Sequence, residues 1–382
     1  MKLPFQFGKL AEGFSFVNRV KEKQTLKNNL SAGINIMLIS PRRLGKTSLV
    51  KAAMTELERE KTDIKICYID AYTIKSEEEF YQTFAREVIK TVSNKWETWI
   101  STAKKHLMAF SPKISIGGDP MNDFSIGLEW KFIKENELEL LNLPEKIAQA
   151  KKITMVICID EFQNLARLKN YDSLEQKMRS VWQHQQNVTY CLYGSKRHMM
   201  VDIFNSSSKP FYRFGQIMFL KKIAENEWVH FIVNAFETTG KHISETLALK
   251  LVQMVDAHSW YVQQLAYFVW NLTENNVNTD IMQQAIEQVI EANLPLYQNE
   301  CDALTASQIN LLIAIVNHEQ LLTAVETLGK YNMGTPQNVS KNKKILQNRD
   351  IIEKTDDGFT FLDPVFKRWF AREYAHQQNE RI

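Results

Sequence analysis

Short apolar runs alternate with amphipathic segments along the first 220 residues of the chain. The runs are rich in Ile, Val, Met and Cys, which is typical of strands that are buried on both faces. The segments between them, such as Leu49–Leu57 and Leu174–His184, carry apolar residues at helical spacing. Strands that alternate with helices predict an α/β domain with a parallel sheet covered on both faces. The predicted strands are Ile34–Ser40, Ile64–Asp70, Ile153–Asp160, Val188–Ser195 and Gln216–Leu220.

The pattern changes between residues 95 and 135, ahead of the third predicted strand. A turn signal at residues 117–120 is followed by apolar residues at every second position. We therefore expect a hairpin-like insertion in the first domain. A surface elaboration and a contact with a partner are both compatible with it. The alternating apolar positions are Phe124, Ile126, Leu128 and Trp130.

Beyond residue 220 the apolar residues recur at helical spacing, which predicts a small helical domain up to residue 295. A capping-box pattern begins at Thr305, and a further helix is predicted around Val339–Asn348. The turn Asp356-Asp357-Gly358 then joins two short strands. Helices followed by a hairpin are typical of a winged helix. The predicted domains are a core at 1–220, with its insertion at about 95–135, a helical domain at 221–295 and a winged helix at 296–382.

Length and composition agree with a multidomain globular protein. The chain has 382 residues, more than the roughly 250–300 at which one core usually stops growing. A net charge of +3 is too small to require a nucleic-acid partner. Pro4 and Lys9 interrupt the start of the chain, and no run is long enough for a bilayer, so we expect a cytoplasmic protein without membrane contact. Three cysteines in predicted strands are expected to be reduced core residues, namely Cys67, Cys158 and Cys191.

A phosphate-binding loop is predicted between the first strand and the next helix. The segment matches the Walker A pattern except that Ser40 replaces its first glycine. Backbone N–H groups of such a loop and the positive end of the helix surround a β-phosphate. Lys46 is expected to reach β and γ oxygens, and the Thr47 hydroxyl to bind Mg²⁺. A chance Gly-Lys-Thr in an ordinary loop is the alternative. The predicted loop residues are Ser40-Pro41-Arg42-Arg43-Leu44-Gly45-Lys46-Thr47-Ser48.

The third predicted strand ends in two carboxylates, as the Walker B pattern requires. We expect Asp160 to hold Mg²⁺ through water and Glu161 to orient or deprotonate the attacking water. Carboxylates in an ordinary solvated loop are the alternative. Because both motifs occur in the required order and context, together they predict a nucleotide site.

These residues resemble the archaeal-type ATPases of the AAA+/STAND class. The likeness includes Phe16-Val17-Asn18-Arg19, the phosphate loop, the Ile159–Gln163 segment and Tyr193-Gly194-Ser195. It extends through residues 210–215 and 362–369 and so covers nearly the whole chain. The resemblance implies an ATPase core, a helical lid and a C-terminal winged helix, with ATP and Mg²⁺ as cofactors.

The resemblance also implies roles for residues outside the two motifs. Ser195 takes the sensor position near the γ-phosphate, and the segment from Phe16 to Arg19 lies near the adenine and the junction of core and lid. Arg213 matches an arginine that stabilises phosphoryl charge, within one chain or across an interface between subunits. A structural ion pair is the alternative for Arg213. The family's Gly-x-Pro turn in the lid reads Ala257-His258-Ser259 here.

The sequence therefore predicts an ATP-driven switch that couples its nucleotide state to a DNA or protein partner through the winged helix. A nucleotide-gated DNA-binding or scaffold protein with little hydrolysis is the main alternative. A nucleoside kinase fits less well, because the helical regions offer no evident acceptor pocket. A DNA-binding face and an ordinary solvated surface both account for the basic residues of the winged helix, which are Lys341, Lys343, Lys344, Arg349 and Lys354.

Overall fold

The computed structural model describes residues 4–10, 13, 16–93, 101, 115–117, 125–355 and 357–375. The chain divides into two compact units. One, here called the sheet unit, is Arg19–Lys221. The other, here called the helical unit, combines Met1–Asn18 with Lys222–Ile382. Among the described residues, no helix has the length and apolar character needed to cross a lipid bilayer.

A five-stranded parallel sheet forms the centre of the sheet unit. The strands of this unit are β1 (Ile36–Ile39), β2 (Ile64–Asp70), β3 (Ser115–Gly117), β4 (Ser125–Gly127), β5 (Thr154–Asp160), β6 (Val188–Gly194) and β7 (Gln216–Phe219). The order β2-β5-β6-β1-β7 places β1 between β6 and β7. Because the strands are parallel, their carboxyl ends meet at one edge of the sheet. All five predicted strands are confirmed to within two residues.

Helices cover both faces of this sheet. Strand residues alternate between the faces, so that Met37 and Ile39 belong to a core that is completed by buried residues of the helices between Glu77 and Asn205. Ile36 and Leu38 point to the other face, where the first two helices of the unit contact the strands. The helices are α1 (Val20–Ser31), α2 (Lys46–Glu60), α3 (Glu77–Thr91), α4 (Trp130–Glu135), α5 (Glu137–Leu141), α6 (Leu143–Lys151), α7 (Tyr171–Trp182) and α8 (Arg197–Asn205), with a 3₁₀ helix at Phe162–Arg167.

The predicted insertion contains an antiparallel pair of short strands, β3 and β4, with Ile116 opposite Ile126. The hairpin is therefore confirmed, but its predicted extension through Leu128 and Trp130 is wrong. Leu128 is buried after the strand ends, and Trp130 begins α4. Alternation over so few positions does not distinguish a strand from the approach to a helix. Phe124 lies outside the described residues.

A buried arginine ties the loop after β1 to both ends of the sheet unit. Arg19 donates to the carbonyl oxygens of Leu44 at 3.2 Å and Lys221 at 2.7 Å, and to the Glu22 carboxylate at 2.8 Å. Its side chain is 4% exposed, and burial lowers the pKa of Arg19 even though Glu22 opposes the shift. Because the Leu44 carbonyl belongs to the predicted phosphate loop, Arg19 fixes that loop from outside it.

Helix α7 buries a carboxyl group that has no hydrogen-bond partner of good geometry. Glu175 is fully buried, and its closest cation in the described part of the chain is the Lys209 ammonium group, at 4.0 Å. Burial raises the pKa of Glu175 to about 7, and Lys209 only partly offsets the shift. Asp172 and Asp202 raise it further. The protonated form of Glu175 is therefore favoured in the folded protein below about pH 7.

The helical unit includes the start of the chain. The Phe5 ring contacts Phe231 and Phe236 at centroid distances of 5.9 and 5.6 Å, and the Gln6 backbone N–H donates to the Gln263 side chain. The predicted core domain began at residue 1, so the structure differs here. The segment is too short to show a period, but its aromatic side chains require a partner surface to be buried.

The helical unit shares one hydrophobic core. Its winged-helix part has three helices followed by an antiparallel hairpin, and the predicted capping box between Thr305 and Gln308 is confirmed. The predicted boundary after Pro295 falls inside a continuous helix, and the three-domain division stays a prediction. The elements are α9 (Glu225–Glu237), α10 (Glu245–Met254), α11 (Ser259–Leu272), α12 (Thr279–Asp302), α13 (Ala306–Val316), α14 (Val325–Lys330), α15 (Pro336–Asn348), β8 (Ile352–Thr355), β9 (Gly358–Phe361) and α16 (Pro364–Phe370), with a π-helix at Ala371–Ala375.

We expect Arg19→Ala to lower the free energy of unfolding by about 1–3 kcal/mol, because two main-chain carbonyls lose a buried donor. Arg19→Lys should not restore it, since one ammonium group lacks the fork geometry that reaches several acceptors. Urea denaturation measures both changes. Arg59→Ala, at an exposed position in the last turn of α2, is the control. A loss no larger than that of the control would contradict the anchoring role.

We expect Glu175→Gln to change the pH dependence of stability. Because the folded-state pKa lies above the ordinary 4.5, the unfolded state releases its proton first, and stability falls as pH rises from about 4.5 to 7. The variant should lack this fall and be more stable than the parent at pH 8, by at most about 3 kcal/mol, with little difference at pH 5. Thermal melts across this range, with exposed Glu58→Gln as control, test it. Parallel curves for parent and variant would contradict it.

Candidate nucleotide-binding site

The loop after β1 places its left-handed residues at Arg43 and Gly45, with φ of 63° and 88°. Ser40 is not among the described residues with positive φ, so this position does not need the conformational freedom of glycine. Its backbone N–H donates to the Gly194 carbonyl of β6 at 3.3 Å, which continues the pairing of the strands by one residue. The substitution at the first motif position is therefore compatible with the loop conformation.

The loop leads directly into α2, which begins at Lys46. Its N-cap is Gly45, its first turn contains no acidic residue, and no side chain caps it. The N-terminal N–H groups of a helix have no partner within the helix, and the helix dipole makes this end positive. The sequence of α2 therefore leaves its positive end available for an anion.

Lys46 lies between the two carboxylates at the end of β5. Its ammonium group is 3.0 Å from Glu161 Oε1 and 3.4 Å from Asp160 Oδ1. The Tyr193 ring lies 5.7 Å from the same ammonium group. The lysine is buried and the two carboxylates are largely shielded, so these pairs are screened by solvent less than surface pairs are. The two predicted motifs therefore meet in one charged cluster.

Thr47 and Asp160 offer oxygen atoms with a spacing that suits Mg²⁺. The Thr47 hydroxyl donates to Asp160 Oδ2 at 2.8 Å, and Asp160 Oδ1 accepts from the Glu161 backbone N–H at 2.8 Å. Neighbouring oxygens around octahedral Mg²⁺ lie about 3.0 Å apart when the metal–oxygen distance is about 2.1 Å. Burial raises the pKa of Asp160, although Lys46 and Thr47 oppose this. These residues are chemically able to hold the ion together with phosphate and water oxygens.

Glu161 is held by polar groups on both sides. Its Oε2 accepts hydrogen bonds from the Ser195 hydroxyl at 2.8 Å and from the Gln163 amide. Burial disfavours its charged form, yet Lys46, Gln163 and Ser195 together hold the pKa of Glu161 below its ordinary value. Glu161 is therefore ionised and oriented, as a residue that positions water requires.

Gln163 is a site residue to which neither motif assigns a role, although it lies in the Ile159–Gln163 segment that resembles the family. It is 1% exposed and donates to Glu161. A Cβ on Gly194 would lie 1.9 Å from Gln163 Oε1, so a larger residue at the end of β6 would have to displace this amide. The short Tyr193-Gly194-Ser195 segment therefore combines a bulky ring, a glycine that leaves room for the amide and a hydroxyl donor to Glu161.

Arg213 does not join this cluster. It is exposed and precedes β7, next to Asn35, whose side chain donates to the Phe214 carbonyl at 3.2 Å. This is the amino edge of the sheet, whereas the phosphate loop follows the carboxyl edge, so the structure does not bring Arg213 to the Lys46 cluster. A role within the same chain stays a prediction. The Arg213 guanidinium lies 5.2 Å from the Tyr212 ring and forms no ion pair within the described ranges. A role across an interface stays a prediction.

Phe16 and Arg19, the predicted adenine neighbours, differ in their surroundings. Arg19 uses its donors on Leu44, Lys221 and Glu22, which is a structural role that the sequence did not predict. Phe16 is half-buried and belongs to the helical unit, and its place near adenine stays a prediction.

Known proteins support this fold. The Walker-type ATPase PABY2304 of Pyrococcus abyssi has a similar structure, with a TM-score of 0.66 and 17% identity over 96% of this chain and 99% of that one. The Aeropyrum pernix ORC2 protein, solved as ADPNP-ADP complexes, has a TM-score of 0.60 and 13% identity over 100% of this chain and 99% of that one. No curated protein sequence matches the chain.

Two family models match the sequence. One, described as a probable winged helix domain, covers residues 295–372, in agreement with the helices and hairpin of the helical unit. The other, described as an ATPase domain predominantly from Archaea, covers residues 16–265, which is more than half of the chain. The chain therefore belongs to the family of ATPases with this predominantly archaeal domain, followed by a winged helix.

Proposed function

We propose that this protein is a Mg²⁺-dependent ATPase that acts as a nucleotide-controlled switch. The observation that carries the proposal is the cluster in which Lys46, at the start of α2, bridges Asp160 and Glu161 at the end of β5. ADPNP and ADP complexes of the structurally similar ORC2 protein support an adenine nucleotide as ligand. ATP is thus proposed as the ligand because of the family and the fold. The contacts to its phosphates are proposed because of the cluster around Lys46.

A bound triphosphate gives Lys46 a more highly charged partner than the carboxylates. We infer that Lys46 then moves toward β and γ oxygens, while N–H groups at the start of α2 contact the phosphates. Thr47 and Asp160 would hold Mg²⁺, which when bound supplies positive charge next to the phosphate oxygens. The exchange of partners leaves Glu161 bound by Ser195 and Gln163, and so still oriented.

Hydrolysis then needs a water placed opposite the bond between the β-phosphate oxygen and the γ-phosphorus. The water oxygen bonds to phosphorus, the bond to the leaving ADP oxygen breaks, and the water proton passes to Glu161 or to a phosphate oxygen. Ser195 keeps the Glu161 carboxylate turned toward the water. Because Ser195 and Gln163 still hold Glu161 after Lys46 has moved, we infer that Glu161 acts mainly by orienting the water.

The switch would transmit the nucleotide state through the helical lid and winged helix to a partner, in the cytoplasm as the sequence predicts. Arg213 would contribute in an oligomer, by stabilising phosphoryl charge in a neighbouring subunit. Its exposed position and its freedom from ion pairs in the described part of the chain suit that role.

We expect Glu161→Gln to bind ATP with nearly the parent affinity but to hydrolyse it about 10²-fold or more slowly, because the amide orients water less well. Lys46→Ala should weaken ATP binding itself. Calorimetry measures binding, and phosphate release with and without Mg²⁺ measures turnover. Glu58→Gln, at an exposed position of α2, is the control. Parent-like turnover by Glu161→Gln would show that another group positions the water.

Nucleotide-gated DNA binding is a second candidate function, and the surface of α15 favours it. Lys341 and Lys344 are exposed on this helix, three residues apart, and neither forms an ion pair within the described ranges. Lys343 is partly buried, with its ammonium group 4.9 Å from the Phe359 ring. Arg349 is paired with Glu300 at 2.8 Å, so the predicted basic face is reduced at its end. The free lysines are suited to phosphate contacts.

We expect the double change Lys341→Ala and Lys344→Ala to weaken binding to duplex DNA and to lower the salt slope of log K by about 1 per lost phosphate contact. Fluorescence anisotropy at several salt concentrations, with and without ATP, measures both. Lys222→Ala with Lys250→Ala removes the same charge from exposed positions outside the winged helix and is the control. Equal slopes for the two double variants would leave a protein partner as the better candidate.

A further inference from the structure

Helix α8 begins with two cations at its positive end. Lys196 is the N-cap and Arg197 the first helical residue, and the first turn contains no acidic residue and no capping side chain. A helix dipole favours anions at this end and disfavours cations. The sequence therefore concentrates positive charge at the start of α8, two residues beyond the Ser195 hydroxyl that binds Glu161.

The register of the sheet places Arg197 beside the phosphate loop. Ile39, the last residue of β1, lies between Gly194 of β6 and Phe219 of β7. The Arg197 guanidinium lies 5.3 Å from the Phe219 ring. Its side chain therefore reaches from the β6 side to the β7 side across the end of β1, where Ser40 starts the phosphate loop.

The contact that holds Arg197 is weak. The Phe219 ring is 47% exposed, and a cation–π contact at a solvated ring contributes little. Arg197 itself is exposed and has no ion pair within the described part of the chain. A charge-assisted, bidentate contact with a phosphate is stronger than this ring contact. The guanidinium is therefore able to exchange the ring for a phosphoryl group.

We propose that Arg197 is the arginine that contacts the γ-phosphate of ATP within the same chain, released from Phe219 when a triphosphate binds. The proposal rests on the proposed ATPase function. As the bond to the leaving ADP oxygen breaks, the guanidinium would donate to γ-phosphoryl oxygens and stabilise their charge. Arg213, by contrast, lies at the opposite edge of the sheet.

The test compares affinities for ADPNP and ADP, together with turnover of ATP, in Arg197→Ala, Arg197→Lys and the parent. Arg197→Ala should weaken ADPNP binding about 10-fold or more, change ADP binding less than about 2-fold and slow turnover about 10²-fold. Arg197→Lys should recover part of the ADPNP preference, since lysine keeps the positive charge but lacks the bidentate geometry of the guanidinium group. Arg59→Ala controls for the loss of one exposed arginine.

The Phe219→Leu variant distinguishes a contact of Arg197 with phosphate from a purely structural contact between Arg197 and Phe219. If Arg197 acts on the γ-phosphate, removal of the competing ring keeps or increases the preference for ADPNP over ADP. If Phe219→Leu lost as much of the preference for ADPNP over ADP as Arg197→Ala does, the Arg197–Phe219 pair would only stabilise the loop, and the proposal would be overturned. Thermal melts establish that each variant is folded.

The results that would contradict this inference differ from those that would contradict the proposed ATPase function. If the parent hydrolyses ATP, Lys46→Ala abolishes hydrolysis and Arg197→Ala keeps the parent's ADPNP preference, the inference is wrong and the ATPase stands. If the parent binds neither ADPNP nor ADP, both are overturned.

Discussion

The site depends on one constraint, which is that two adjacent carboxylates at the end of a buried strand require a cation between them. Asp160 and Glu161 are largely shielded, and Lys46 lies 3.4 and 3.0 Å from their oxygens. Without it, the carboxylates would repel each other in a poorly solvated place. In the proposed mechanism, a phosphate competes with the carboxylates for this lysine. A nucleotide that drew Lys46 away would change the balance of charge around Glu161 and so would link binding to the residue proposed to position water.

The parallel sheet makes this cluster possible, because it brings together the carboxyl ends of strands that are distant in the sequence. β1 leads to Lys46, β5 to Glu161 and β6 to Ser195, and all three end at the same edge. Close packing then fixes details within the cluster. Gly194 leaves room for the Gln163 amide, which binds Glu161 together with Ser195. Orientation of one carboxylate thus depends on contacts from two neighbouring strands.

Three arginines illustrate how surroundings decide the role of one residue type. Arg19 is buried and uses its donors on main-chain carbonyls, so it anchors the phosphate loop. Arg213 lies 5.2 Å from the half-buried Tyr212 ring, and Arg197 lies 5.3 Å from the exposed Phe219 ring, at the opposite edge of the sheet. The edge at which each lies follows from strand register, and it is the basis for proposing a role between subunits for Arg213 and a role within the chain for Arg197.

The sequence by itself determined the element types, the β1–loop–α2 and β5–Asp160–Glu161 motifs and the winged helix, because apolar periodicity and turn residues act over a few neighbouring positions. It could not place Phe5 in the helical unit, the continuous helix through Pro295, or Arg213 at the amino edge. It also gave no signal for Gln163 under Gly194 or for Arg197 against Phe219. The positions of Arg213, Gln163 and Arg197 depend on which strands pair and in which register, and local spacing is the same in either arrangement. The position of Phe5 and the course of the chain at Pro295 likewise depend on packing between residues that are distant in the sequence.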